Sequence, residues 1–203
     1  MDISEHDRER ISAAIRAAEA KTSGEIVCVL AQASSDASGL PILLAALAAL
    51  ALPWLLVAFT ALSVHRILLL QATAFFAAAV VLCLPRVRVA LLPRAARRAV
   101  AHRVALEQFT IRGIARKKER SGILIFVSLA EHYARIVADE GIAARVPQAE
   151  WQGAVDALVA HCGSGRIADG FISAIDTCAT VLATHFPRTT ESRDELPDRI
   201  YVI

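Results

Sequence analysis

Two long apolar runs dominate the hydrophobic pattern of the chain. Residues 40–62 read LPILLAALAALALPWLLVAFTAL and residues 67–84 read ILLLQATAFFAAAVVLCL, with only residues 63–66 between them. A helix needs about 20 apolar residues to cross the hydrocarbon core of a bilayer, because each residue adds only about 1.5 Å. The pattern predicts a transmembrane hairpin with a short turn. A pair of buried helices in a soluble core is the less favoured alternative, since small domains rarely bury two helices that are apolar all round.

The rest of the chain has the shorter periods of an α/β domain. Apolar residues at three- and four-residue spacing predict helices over residues 4–21, 94–118, 148–161 and 167–185. Runs rich in β-branched residues predict two strands buried on both faces, over residues 25–31 and 122–129. Residues 133–139 alternate between polar and apolar positions after a tight turn, which predicts a less buried strand in an antiparallel hairpin.

Neither of the two buried strands is stable alone, so we expect them to pair in one small sheet that helices cover. The predicted fold class is a small α/β sandwich interrupted by the two-helix transmembrane hairpin. Its parts are the first section of the domain, the hairpin, a basic juxtamembrane helix, the second section and a polar tail: residues 1–39, 40–84, 85–120, 121–186 and 187–203. Whether residues 200–203 complete the sheet stays open.

Charge predicts how the hairpin is oriented. The net charge is only +2, but residues 85–120 contain eleven basic residues against two acidic ones. The basic residues nearest the second apolar run form a cluster that we call the juxtamembrane cluster: Arg86, Arg88, Arg94, Arg97 and Arg98. Basic residues beside a span favour the cytoplasmic side, and the turn contains only Arg66. We therefore expect an inner-membrane protein with two spans and both termini cytoplasmic.

The same cluster suits anionic lipid headgroups, so the lipid bilayer is the first expected partner. A nucleic-acid partner is not expected, because no pattern of aromatic residues accompanies the basic ones. The four cysteines have neither C-x-x-C nor zinc-finger spacing, which is typical of a reducing compartment. His161 and Cys162 are adjacent, but neighbouring residues on a helix point about 100° apart and do not form a catalytic pair.

Three stretches together resemble the TPM domain. Residues 19–30 contain E-x-x-T-S-G-E-I-V-x-V-L, residues 122–142 read GILIFVSLAEHYARIVADEGI, and residues 165–171 have the form G-x-x-x-x-G-F. The order of these motifs is more distinctive than any one of them. The chain is most similar to the bacterial membrane branch of this family, which also includes thylakoid-lumen proteins. The resemblance implies a compact α/β sandwich and, for some members, acid phosphatase activity with calcium bound by acidic loop residues.

The resemblance directs attention to three carboxylates. Asp139 and Glu140 stand in the D-x-G motif, and Asp169 lies in the G-x-x-x-x-G-F motif. Calcium takes six to eight oxygen ligands, of which Asp139, Glu140 and Asp169 could supply some and backbone carbonyls and water the rest. The alternative is that they are solvated loop carboxylates. The acidic residues that usually precede the G-x-L strand in the family are replaced here by Glu119, Arg120 and Ser121.

Two functions follow as hypotheses. The favoured one is a membrane-anchored, cytoplasm-facing interaction or assembly module with a membrane or cytoplasmic protein partner. The alternative is a weak calcium-dependent acid phosphatase that hydrolyses phosphomonoesters, with possible calcium ligands but no assigned catalytic residue. A phosphatase needs a nucleophile or activated water together with cations that neutralise the phosphate oxygens, and the chain offers few such groups.

Overall fold

The computed structural model of the protein describes residues 3–34, 39–84, 87, 92–114, 121–188 and 196–203. The chain forms two compact units. One unit combines Met1–Ser34 with Arg98–Ile203, and the other is Ser35–Arg97. We call the first the sheet unit and the second the hairpin unit.

The elements follow the predicted order closely. In sequence they are α1 (Glu5–Glu19), β1 (Glu25–Ala31), α2 (Gly39–Phe59), α3 (Val64–Cys83), α4 (Arg94–Ile111), β2 (Gly122–Ser128), β3 (Tyr133–Ala138), α5 (Glu140–Ala143), a 3₁₀ turn (Gln148–Trp151), α6 (Gln152–Gly163), α7 (Ile167–His185) and β4 (Ile200–Val202). Mixed α/β architecture is therefore confirmed, with four strands and seven α-helices within the described ranges.

The four strands form one sheet in the order β3-β2-β1-β4. Strand β1 pairs in parallel with β2 on one side and with β4 on the other, while β2 and β3 pair antiparallel as predicted. Every residue of β1 and β2 is buried, whereas in β3 only Ile136 is. The last residues of the chain thus complete the sheet, which the sequence pattern had left open.

Alternate side chains of β1 point into two separate apolar clusters. Ile26, Cys28 and Leu30 pack on the face covered by α1, α6 and α7. Val27 and Val29 pack on the opposite face with residues of α4 and with the loop that follows it. Because helices cover both faces, the central strands have no polar alternation.

Two helices differ from their predicted lengths. Helix α4 ends at Ile111 and not at residue 118; Gly113 follows at φ 77°, a left-handed conformation that terminates a helix readily. The helix predicted over residues 148–161 begins as a 3₁₀ turn and becomes α-helical only at Gln152. Of the 17 residues of the predicted polar tail, 187–203, the seven residues 189–195 lie outside the described ones, and Ile200–Val202 form β4.

Three helices are long and apolar enough to cross a membrane, one more than the sequence analysis expected. Helices α2 and α3 coincide with the two apolar runs, and the third is α7. Half of the apolar window of α7 is buried inside the protein, against 11% for α2 and 6% for α3. The difference arises because the apolar face of α7 packs in the core of the sheet unit, where Phe171 and Ile175 are fully buried.

Candidate functional site

The amino-terminal ends of β1 and β2 bring two acidic residues from different segments next to the same glycine. Because the strands are parallel, their first residues, Glu25 and Gly122, lie opposite each other. Asp139 follows β3, and its backbone N–H donates to the carbonyl of Gly122 at 2.9 Å. Glu25 and Asp139 are only 3% and 4% exposed. Two buried carboxylate residues therefore lie on either side of a glycine at one edge of the sheet.

Asp139 has one satisfied carboxylate oxygen and one unsatisfied one. Its Oδ1 accepts a hydrogen bond from the backbone N–H of Glu140 at 2.7 Å and so caps the short helix α5. Its Oδ2 is buried and has no hydrogen-bond partner in the described parts of the chain. A buried acceptor without a donor costs about 1–3 kcal/mol. A cation or a hydrogen-bond donor at this oxygen would remove that cost.

The glycine between the two carboxylates makes room for an apolar side chain. A Cβ atom at Gly122 would lie 2.3 Å from Cγ2 of Ile114, which is fully buried. The neighbouring Ser121 is buried too, and its Oγ donates to the carbonyl of Ser23 at 3.2 Å. Glu119 and Arg120, the residues before it in the family motif, lie outside the described residues. The described edge is thus closely packed on its apolar side.

The three predicted calcium ligands lie on two different elements: Asp139 and Glu140 at the start of α5, and Asp169 in α7. Glu140 is exposed and adjacent to Asp139 in the first turn of α5. Asp169 lies in the first turn of α7, where its Oδ1 accepts a hydrogen bond from Nη2 of Arg10 at 2.7 Å. This ion pair raises the pKa of the Arg10 guanidinium, which also contacts Asp7. The structure therefore pairs Asp169 with a cation of α1.

Within the described ranges, no group of three or more histidine, cysteine or acidic side chains is placed to hold a metal ion. Asp139 and Glu140 offer adjacent carboxylates, and the unpartnered Oδ2 of Asp139 is a suitable oxygen ligand for calcium. Calcium needs several further oxygens, and Asp169 is not in a ligand group with these two. The described residues therefore fit calcium only in part, and the calcium site stays a prediction.

A buried polar network at the opposite edge of the sheet was missed by the sequence analysis. Glu131 is only 4% exposed. Its Oε2 accepts hydrogen bonds from the backbone N–H of Ser34 at 2.9 Å and from Oγ of Ser128. Oγ of Ser34 donates to Oγ of Ser128 at 2.8 Å. The next residue, His132, has φ 49°, which is unusual for a residue other than glycine.

The juxtamembrane cluster is only partly described. Arg86 and Arg88 lie outside the described residues, and Arg94 and Arg98 are exposed on α4. Arg97 is half-buried and its Nε donates to the carbonyl of Leu92 at 3.0 Å. The described members are therefore available to water or to lipid headgroups.

A histidine of helix α4 lies close to a tyrosine of the sheet. Nδ1 of His102 lies 3.4 Å from the hydroxyl of Tyr133 on β3. Burial, and then the nearby Arg135 guanidinium, lower the pKa of His102. The imidazole is thus held towards its neutral form, in which one ring nitrogen accepts a hydrogen bond and the other donates.

Burial raises the pKa of three of the four cysteine thiols, Cys28, Cys162 and Cys178. All four are free, and Cys28 and Cys178 are buried. Burial raises the pKa of Cys178 to about 12 and also raises that of Cys162. The neighbouring His161 directs Nδ1 to the carbonyl of Ala157 at 2.8 Å. A thiolate at Cys162 is therefore disfavoured.

Comparison with known proteins identifies the domain. A family model described as the TPM domain matches residues 84–181, which confirms the resemblance found in the motifs. The NMR structure of the BA42 protein from the psychrophilic bacterium Bizionia argentinensis is similar, with a TM-score of 0.63 and 19% identity. The similarity covers 100% of this chain and 96% of that one. At this identity the likeness concerns the fold alone. No curated protein matches the sequence.

Proposed function

Because the chain contains a TPM domain, we propose that it is a membrane-anchored TPM-domain protein. In this proposal α2 and α3 cross the inner membrane as a hairpin, and the sheet unit faces the cytoplasm as an interaction or assembly module. The observation that carries the proposal is the apolar surface of the hairpin unit. Trp54 and Phe59 are 81% and 82% exposed, and most of the large apolar side chains of α2 and α3 are exposed as well.

Such a surface is unfavourable in water and favourable in hydrocarbon. Soluble proteins rarely expose contiguous apolar patches of more than a few hundred Å². Helices α2 and α3 contain 21 and 20 residues, enough for the roughly 30 Å hydrocarbon core. Helix α7 has the length for a span, but its apolar face is already buried against the sheet unit. If α2 and α3 are the two spans and α7 belongs to the folded domain, the low buried fraction of α2 and α3 and the higher buried fraction of α7 are both explained.

The orientation follows from the distribution of arginines. The juxtamembrane cluster follows α3, whereas the turn between the spans contains only Arg66. The positive-inside tendency then places both termini in the cytoplasm. A reporter that is active only in the periplasm, fused after Ile203, should be silent, and a reporter that fluoresces only in the cytoplasm should be bright at the same position. The reverse pattern would contradict this orientation.

The interaction role is supported by apolar residues that the sheet unit leaves exposed. Ile111, at the end of α4, is 69% exposed. A photo-crosslinking amino acid at position 111 should join the protein to one partner in intact membranes. The control is position 159, where Val159 of α6 is also an exposed apolar residue, at 47%. Crosslinks only to lipid and to the chain itself at position 111 would contradict a docking role.

A second candidate function, calcium-dependent hydrolysis of phosphomonoesters, is favoured by one specific observation. The buried and unpartnered Oδ2 of Asp139 is the kind of group that metal or substrate binding satisfies. The detergent-purified protein would be assayed with p-nitrophenyl phosphate, with and without calcium, beside Asp139→Ala and Asp169→Asn. Calcium-dependent turnover that disappears in Asp139→Ala would support the enzyme. If Asp169→Asn abolishes it equally, Asp169 belongs to the site despite its pairing with Arg10. If the folded protein shows no turnover, the phosphatase hypothesis is rejected and the interaction module remains.

A further inference from the structure

Helix α3 carries an amide side chain in the middle of an apolar stretch. Gln71 is the eighth of the 20 residues of Val64–Cys83. Thr73, two residues later, is the other polar side chain in the central part of the helix, and its Oγ1 donates to the carbonyl of Leu69 at 2.8 Å. Thr73 is thus satisfied by its own helix. The Gln71 amide has no hydrogen bond to any residue that the structure describes.

The amide lies in an open groove between α2 and α3. The groove has a volume of about 530 Å³ and belongs entirely to the hairpin unit. Its walls include small and aliphatic side chains of both helices: Ala46, Ala49, Leu50, Leu68 and Ala72. On α3 the lining positions 68, 71, 72 and 75 recur at three- and four-residue spacing, so they share one helix face. Gln71 is therefore a polar group on an otherwise apolar surface, and the small residues of that surface allow another helix to approach closely.

Hydrocarbon cannot satisfy this amide. A lipid tail offers neither donor nor acceptor, and polar side chains within membrane helices are mostly found hydrogen-bonded across a helix interface. A glutamine amide is self-complementary, because it has N–H donors and a C=O acceptor. Two glutamines related by a twofold axis can each donate to the other. A twofold interface uses the same patch on both subunits, so this chain supplies the required partner group itself.

We propose that two copies of the chain associate within the membrane through the groove between α2 and α3. In this dimer the Gln71 amides pair across a twofold axis, and the apolar lining of each groove packs against α3 of the other copy. The inference rests on the proposed membrane insertion and adds an oligomeric state and a specificity-determining residue to it. The interface would be dry and would not require the sheet units to touch.

The test uses the full chain in phosphatidylcholine–phosphatidylglycerol vesicles. Flotation first establishes insertion. Energy transfer between donor- and acceptor-labelled copies then reports self-association as the lipid-to-protein ratio is raised. Gln71→Leu should weaken association about tenfold, consistent with one or two interhelical hydrogen bonds. Gln71→Asn should retain part of the association. The matched control Thr73→Val should stay within about twofold of the wild type, since that hydroxyl bonds within its own helix.

Disulfide crosslinking gives a second, geometric measurement. In a chain with Cys83→Ser, oxidation should join copies that carry Leu68→Cys or Ala72→Cys in the groove, and should not join copies that carry Leu69→Cys or Leu70→Cys. An inserted protein that is monomeric, or whose association is unchanged in Gln71→Leu, would overturn the dimer and assign the groove to lipid or to another protein. A chain that fails to float with the vesicles would instead refute membrane insertion, and the dimer with it.

Discussion

Alanine at Gly122 tests the packing of the candidate edge. The added Cβ would lie 2.3 Å from Cγ2 of Ile114, whereas ordinary van der Waals contact begins near 3.4 Å. One of the two atoms must therefore move by about 1 Å, and Ile114 is fully buried, in an interior that is close-packed as in other proteins. Overpacking of this kind costs about 1–3 kcal/mol. Gly122→Ala should lower the free energy of unfolding by that amount.

Two further variants make the prediction specific. Ile114→Ala removes Cγ2 and should by itself cost about 2–5 kcal/mol. The double variant should be less destabilised than the sum of the two, by about 1–2 kcal/mol, because the new Cβ occupies vacated space. Gly153→Ala in α6 is the matched control: nothing lies within 4 Å of its Cβ position. That change should be neutral or stabilising by up to about 1 kcal/mol, since alanine is the better helix former.

The assay follows the fluorescence of Trp151 during thermal unfolding in detergent. The chain has two tryptophans, so a Trp54→Phe background leaves the fully buried Trp151 of the sheet unit as the only reporter. Each kcal/mol shifts the midpoint by roughly 2–4 °C in a domain of this size. A Gly122→Ala variant within about 0.5 kcal/mol of the wild type, or strict additivity with Ile114→Ala, would refute the described packing.

Three further predictions concern buried polar and titratable groups. Ser128→Ala removes a donor to the buried Glu131 carboxylate and should lower the free energy of unfolding by about 1–3 kcal/mol, whereas Ser164→Ala, at an exposed hydroxyl, should change it by less than about 0.5 kcal/mol. The pKa of His102 is lowered by burial and then by Arg135. The unfolded chain therefore binds the proton more readily, and stability should fall as the pH drops below about 6.5, less steeply in Arg135→Gln; a pH-independent melting midpoint would contradict this. Burial raises the pKa of Cys178 to about 12 and that of Cys28 above its usual value, so iodoacetamide at about pH 8.5 should spare both in the folded protein and modify both after denaturation, as mass spectrometry would show.

The predicted elements that proved correct are those whose pattern is strong within a single segment. The run of apolar residues in β1 needs no knowledge of its neighbours, and the bounds of β1 and α7 agree with the prediction. Strand β4 has only three residues, and Ile200 pairs with Cys28, far away in the sequence. No local pattern distinguishes such a strand from any short apolar tail. The hydrophobic period therefore predicts long, well-patterned segments, and it leaves open where a short segment such as β4 pairs.

The candidate site also combines a residue that a local motif identifies with contacts that no local motif predicts. Asp139 was found through the D-x-G motif of the family resemblance, and the structure places it at a buried helix cap. The pairing of Asp169 with Arg10 joins residues 159 positions apart, and the bond from Ser34 to Glu131 spans 97 positions. The sequence alone does not show whether a carboxylate that follows a strand is buried, because its hydrogen-bond donors can lie far away along the chain. Burial of polar groups is decided by these long-range contacts.

The position of β1 in the middle of the sheet constrains the order of events during synthesis. Both strands that pair with β1 come later in the chain. Glu25 pairs with Gly122, which is synthesised 97 residues later, and Cys28 pairs with Ile200. At about 5–20 residues per second, translation needs roughly 5–20 s to reach β2. During that interval the hairpin emerges, so under the proposed topology it enters the bilayer before the sheet can close. Membrane insertion then precedes completion of the cytoplasmic domain, and the sheet joins two chain segments that return to the same side of the membrane.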